Sequence, residues 1–341
     1  MNRVALIFIT SIGLISCSIK KPDLTCQRIN YLIDIKSEVS KNYWTDFNRE
    51  ILFSPMLYYT KSGLYTMNAN EKLKNKIHIE PYNCNNSKVT IGFSKIIDTT
   101  NFHMNVSYDD SDSSALEFKN TLGMFSDVNL TEKFIPDVKD TEEWMSMVIH
   151  EMFHQYQRDF KEFRKKQISS QKDFDRDALD YLFKNKEWYN KSIIKENNIL
   201  IEVLNLKDNN NIKKYIKDYL ITKEQRILKV KNEEGYEISD LENSLSKSEG
   251  TARYIEYCVK LTLKGKAENK NLSKIDNKYQ TSRFKNYKLD QDKWMYNLGG
   301  GYYYSIGFNL TRVLEKLKIN YQKDIFSKNT PFDSYLNEYI K

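Results

Sequence analysis

The sequence predicts an α+β fold, predominantly helical, with a strand-containing N-terminal lobe and a helical C-terminal lobe. Three observations lead there. Short runs rich in β-branched and aromatic residues, "KIHIEPYN", "KVTIGFSKI" and "FHMNVSYDD", fall in the first third of the chain, separated by Asn, Asp and Ser. From about residue 140 onward, apolar residues recur at helical spacing. A length of 341 residues, 40% hydrophobic and 29% charged, suits a globular body of one large domain or two lobes sharing a cleft.

The first residues stand outside that fold. "MNRVALIFITSIGLISC" has a positive charge at Arg3 and an apolar run from Val4 to Ile15. The run is too short to span a bilayer and has the form of an export signal, residues 1–16. It ends in "LISC", Leu14 to Cys17, which resembles the lipobox of bacterial lipoproteins. That resemblance implies lipidation of the Cys17 thiol. The chain would then be exported and anchored to a bacterial membrane, on its periplasmic or cell-surface face. "SIKKPD" would be its tether. Ordinary signal cleavage is the alternative.

Residues 17–139 form the expected N-terminal lobe. A helix is predicted over 26–60, its core face made by Tyr31, Leu32, Val39, Tyr43, Trp44, Phe47 and Ile51. The strands follow, with His78 and His103 inside them as structural residues. "GMFSDVNLTEKFIPDVKD" is expected to be a loop. In an exported chain Cys26 and Cys84 can pair, although no spacing rule requires it. Cys258 is left over. No CxxC or Cys/His cluster exists, which excludes a zinc finger.

Residues 140–341 form the helical lobe. Asp140, with Glu143 three residues on, is a capping-box start for a helix running to about Lys166. Met145, Ile149, Met152, Phe153, Tyr156, Phe160 and Phe163 make its core stripe. His150 and His154 lie off that stripe, on the neighbouring face with Met147. Helical periodicity continues over about 174–263, broken near Asn209–Asn211 and Gly235. "KGKAENKNLSKIDNKYQTSRFKNYK" is a polar loop. "NLGGGYYYSIGFNLTRVLEKL" is a triple glycine opening onto a last long helix.

The net charge of +7 does not mark a nucleic-acid binder. Lys, Asn and Ile are abundant throughout, and the lysines are interleaved with acids, as on solvated helix faces.

"VIHEMFHQYQRDF" carries the chemistry. On a helix, residues four apart stack on one face, so His150 and His154 can reach one Zn²⁺ together. Glu151 sits about 100° around the axis, too far round to be a ligand but able to reach a water on the metal. An accidental H-E-x-x-H is expected on the order of 0.003 times in a chain with so few histidines. No third histidine follows the motif: Gln157 and Phe160 stand where an extended motif would have Gly and His. The third ligand is therefore expected to be a later carboxylate. "SEGTARYIEY" offers Glu249, flanked by the small Gly250 and Ala252, with Glu256 as its competitor. An ordinary helix start with an acidic first turn is the bland reading of Glu249.

"HEMFH", "EGTARY" and "YSIG", in that order, resemble the gluzincin metallopeptidases, the group that includes the membrane alanyl aminopeptidases. The resemblance implies a zincin-like fold, two lobes around a metal cleft. It implies His150, His154 and Glu249 as zinc ligands, Glu151 as general base and Tyr304 as the oxyanion donor. The substrate would be a peptide or protein. Two features depart from the group. As many as 94 residues separate His154 from Glu249, and the G-x-M-E-N substrate signature is absent, so aminopeptidase specificity is not implied. Tyr302 and Tyr303 stand beside Tyr304, and a triple tyrosine can be plain packing. The rival from another class is a non-catalytic surface lipoprotein that binds peptide or glycan, its histidine motif fortuitous or degenerate.

Overall fold

The computed structural model describes residues 23–48, 54–96, 102–108, 121–170, 176–280, 283–296 and 298–341. It is α+β and predominantly helical, built on a six-stranded mixed sheet. The export signal, the "LISC" stretch and Cys17 lie outside the described residues.

The first described element is α1 (Leu24–Tyr43), capped by Asp23, whose carboxylate accepts the Cys26 N–H. This helix stops well short of the predicted residue 60. Trp44 leaves helical geometry and is fully buried, its indole donating to the Tyr156 hydroxyl at 3.1 Å. Further on, Pro55 lacks an N–H and disfavours helix in the residue before it. The segment from Met56, read from its aromatic spacing as helix, is instead strand β1 (Met56–Thr60), in a hairpin with β2 (Gly63–Met67). Gly63 has φ +142°, and a Cβ there would lie 2.7 Å from the Ser94 carbonyl, so the turn needs glycine.

Then come α2 (Glu71–Lys76), β3 (Glu80–Pro81), β4 (Ile91–Ser94), β5 (Met104–Tyr108), β6 (Thr121–Ser126) and α3 (Val128–Phe134). The strand order is β3-β4-β2-β1-β6-β5. Every pair is antiparallel except β1 with β6. The segment expected to be a loop thus supplies β6 and α3. Asp127 resolves it, ending the strand and capping the helix by accepting the Leu130 N–H at 2.8 Å. His78 and His103 sit just outside β3 and β5, not within them. Cys26 and Cys84 form a disulfide that ties α1 to the loop before β4.

Side chains alternate across β1. Tyr58 faces the main core and packs on Trp144, ring centroids 5.5 Å apart, while Leu57 joins Leu64 and Leu73 in a small cluster on the other face, with α2.

The helical part comprises α4 (Thr141–Arg158), α5 (Lys161–Ser170), α6 (Arg176–Asn185), α7 (Glu187–Asn205), α8 (Asn209–Glu234), α9 (Ser239–Gly265), α10 (Tyr302–Lys316), α11 (Asp324–Ser327) and α12 (Phe332–Ile340). Asp140 caps α4 as predicted, accepting the Glu143 N–H at 2.8 Å. The Glu143 carboxylate pairs with Lys260 at 3.1 Å. The predicted helix to Lys166 is broken at Asp159–Phe160 into α4 and α5. Helix α8 starts after the Asp208 cap and ends at Gly235 in left-handed geometry, φ +77°. The polar stretch after α9 is irregular, as expected. It is anchored by Asp276, which accepts two bonds from Arg28 and one from Thr141.

Helix α4 lies between the β5–β6 side of the sheet and α9, and α9 lies between α4 and α10. The α9–α10 approach is very close. A Cβ on Gly250 would meet the Gly307 backbone at 2.3 Å, so the glycines of "EGTARY" and "YSIG" face each other. Among the described residues no helix is long and apolar enough to cross a membrane.

Candidate metal centre

The two histidines of α4 project toward α9, ring centroids 4.9 Å apart, each 7% exposed. Glu249 meets them from the interior of α9. That helix begins at Ser239, so the carboxylate is not in an acidic first turn, and the dipole reading of it does not hold. One carboxylate oxygen faces both rings: Glu249 Oε2 is 3.3 Å from His154 Nε2 and 3.9 Å from His150 Nε2. One donor atom from each residue lies within 4.8 Å of the others, and all three residues are buried. This group can hold a metal ion.

The surroundings fix which atoms face inward. Gln157 Nε2 donates to the Ser248 carbonyl and to Thr251 Oγ1, both at 2.8 Å. Its Oε1 is thereby left as the acceptor 2.8 Å from His154 Nδ1. The proton of neutral His154 therefore sits on Nδ1, and the Nε2 lone pair points at Glu249. His150 Nδ1 lies 3.4 Å from Glu256 Oε2 but makes no aligned hydrogen bond. Glu256, the sequence's competitor for third ligand, stands behind His150 in the position of an orienting carboxylate. Arg176, at the start of α6, donates to Glu249 Oε1 at 2.6 Å and leaves Oε2 for the histidine side.

The charges of the cluster are strongly coupled. Burial raises the Glu249 pKa, but His154, Arg176 and His150 outweigh it and hold the carboxyl well below its usual range. Burial lowers the His154 pKa, but Glu249 outweighs it and the net direction is up. Two imidazole nitrogens and one carboxylate oxygen, aimed at one point and backed by hydrogen-bonding groups, are a donor set that fits zinc.

Glu151 is half-buried and lines a cavity of about 430 Å³ together with His150, Arg253, Trp294 and Tyr304. Met147, Glu256 and Trp294 also border a second cavity of about 640 Å³, with Lys260, Arg283 and Tyr287 on its walls. The larger cavity reaches neither histidine; the smaller one reaches His150.

The three tyrosines separate in space. Tyr302 is buried and bonds to Glu242 and to the Tyr189 hydroxyl. Tyr303 packs toward Arg176. Tyr304 faces the smaller cavity, and its phenol pKa is pushed up by burial and by the Glu249 carboxylate, so it stays protonated. His103 stacks on Tyr59 at 4.1 Å, and His78 is exposed. Neither belongs to the cluster.

Four neighbours were not read from the sequence in these roles: Gln157, Glu256 as orienter, Arg176 and Arg253. Gln157 had a usable signal, since it follows His154 by three residues and shares its helix face. Arg176 had none, because nothing local links it to Glu249. No known family, curated protein or solved structure matches this chain.

Proposed function

We propose that the chain is a zinc-dependent peptidase of zincin-like architecture, with His150, His154 and Glu249 as metal ligands. The observation that carries the reading is the convergence of three buried donor atoms, one of whose residues, His150, lines a cavity together with Glu151. Zinc in such a site polarises a carbonyl and acidifies water. The chain's own groups supply the rest. Glu151 takes a proton from the attacking water and passes it to the leaving nitrogen. Tyr304, kept neutral, donates its phenolic O–H to the developing oxyanion. Gln157 and Glu256 hold the imidazoles in orientation.

Two further lines go with this reading. The Cys26–Cys84 disulfide suits an oxidising, extracytoplasmic compartment. Cys17 is the proposed lipid attachment site, placing the enzyme at a bacterial membrane surface with peptides or proteins as substrates. The resemblance to gluzincins supports the assignment of roles but not an aminopeptidase specificity.

The test is Glu151→Gln. The purified variant should keep about one zinc per chain while hydrolysis of a quenched peptide library falls by roughly 10²–10⁴-fold. Wild-type turnover by the variant would refute the mechanism. A wild-type chain without zinc would leave the non-catalytic binder.

A further inference from the structure

The described residues include three buried arginines. Arg28 meets Asp276 through two nitrogens. Arg226 meets both Glu196 and Glu242 in the same way. Arg253 has no such partner. It is 6% exposed and lines the cavity that holds His150 and Glu151. Its Nη1 donates to the Trp294 carbonyl at 3.1 Å, and its buried Nε has no hydrogen-bond partner. The nearest acid is Glu256, with Oε2 3.7 Å from Nε. That oxygen is also 3.4 Å from His150 Nδ1, and the other is 3.4 Å from Lys260, so Glu256 is divided among three bases.

The guanidinium is nevertheless held in place. Its centre lies 4.5 Å from the Trp294 ring centroid and 5.0 Å from that of Tyr304. Stacking between rings fixes a planar fork at little entropic cost on binding. A buried N–H without a partner is costly, and a carboxylate is the acceptor whose two oxygens match the fork. Gly299, Gly300 and Gly301 form part of the same wall.

We propose that Arg253, clamped between Trp294 and Tyr304, forms a subsite for a carboxylate on the substrate, carried by an acidic side chain or by a free C-terminus. The peptide nature of that substrate rests on the peptidase reading above. The preference for a carboxylate rests on Arg253 alone. The subsite adjoins the proposed ligand His150, so the charged group is recognised close to the bond that is cut.

The experiment measures binding, not turnover. Calorimetry on the full chain carrying Glu151→Gln, metal-free and with zinc, compares four probes. These are a doubly blocked tetrapeptide with one glutamate, its glutamine counterpart, a tripeptide with a free C-terminal carboxylate, and its amide. One charged probe should bind about tenfold or more tighter than its neutral partner, and which pair shows the difference identifies the source of the carboxylate. Arg253→Gln should erase the preference. Arg253→Lys keeps the charge but not the fork and should retain only part of it, which serves if the glutamine variant does not fold. Equal binding of charged and neutral probes, including no binding of either, overturns the proposal. So does a preference that survives in a folded Arg253→Gln chain. A carboxylate preference in a chain whose wild type cuts no peptide would sink hydrolysis and leave the subsite standing. Hydrolysis without the preference would do the reverse.

Discussion

Helix α9 carries three buried carboxylates, and two of them, Glu242 and Glu249, two turns apart, end in opposite situations. Glu242 is saturated. Arg226 donates to both of its oxygens, and the hydroxyls of Tyr189 and Tyr302 close the rest. Burial alone would raise its pKa, but Arg226 outweighs burial and lowers it. Glu249 is saturated on one side only. Arg176 takes Oε1, while Oε2 faces the Nε2 atoms of both imidazoles, 3.3 Å from His154 and 3.9 Å from His150. Both carboxylates are buried to a similar extent, so their own burial does not separate structure from function here. What separates them is whether the charges close among themselves. The Glu242 cluster is complete with protein atoms alone and binds α7, α8, α9 and α10 together. The Glu249 cluster leaves one carboxylate oxygen toward the two imidazoles, an arrangement that can take a metal ion.

The largest effect tests the open cluster. Glu249→Ala should reduce bound zinc from about one per chain to near none by elemental analysis, with a modest change in the stability of the metal-free protein. If zinc stayed and Glu256→Ala lost it instead, the ligand would lie two turns further along α9.

Breaking the closed cluster should act on the fold instead. Arg226→Met strands Glu196 and Glu242 as buried carboxylates, and should cost about 3–5 kcal/mol in denaturant unfolding. Zinc content of the fraction that remains folded should not change. A loss of zinc without a loss of stability would mean the two clusters are one.

A smaller effect sharpens the role of Glu256. Replaced by Gln, it should leave the stoichiometry at about one and weaken zinc affinity by roughly 10–100-fold, as for an orienting partner.

The smallest effect is in pH. In the metal-free protein, His154 has its pKa raised by Glu249 against the lowering effect of burial. Its ion pair therefore stabilises the fold below the unfolded imidazole value of about 6.5, and that contribution is lost as pH rises through the raised folded value. Zinc needs the neutral ring, so its binding releases a proton. The rise in Tm on adding zinc should be larger at about pH 8 than at about pH 6, and binding heats should depend on the buffer. A Tm increment that shrinks with rising pH would contradict a histidine-ligated metal.

Local signals in the sequence were reliable where one element decided the outcome. The i, i+4 pairing of His150 and His154, the Asp140 cap, the core stripe of α4 and the glycine-opened helix α10 all depend on neighbours within a turn or two. The signals failed where two influences competed over a few residues. Aromatic spacing carried a helix through residues 44–60, where Trp44 turns inward and Pro55 precedes a strand. The segment from Gly123 read as loop because one residue, Asp127, both ends β6 and caps α3.

The sequence by itself determined that two imidazoles share a face and that the small residues Gly250 and Ala252 follow Glu249. Helical geometry and side-chain size are properties of the local chain, so they need no fold to be known. Only the tertiary structure decided that Glu249 rather than Glu256 faces both rings, that Gln157 sets the tautomer of His154, and that Arg253 is left without an acid of its own. Those outcomes depend on how α4, α9 and α10 pack: Gln157 meets Ser248 and Thr251, and His154 meets Glu249, about 90 or more positions along the chain, a separation across which spacing carries no information.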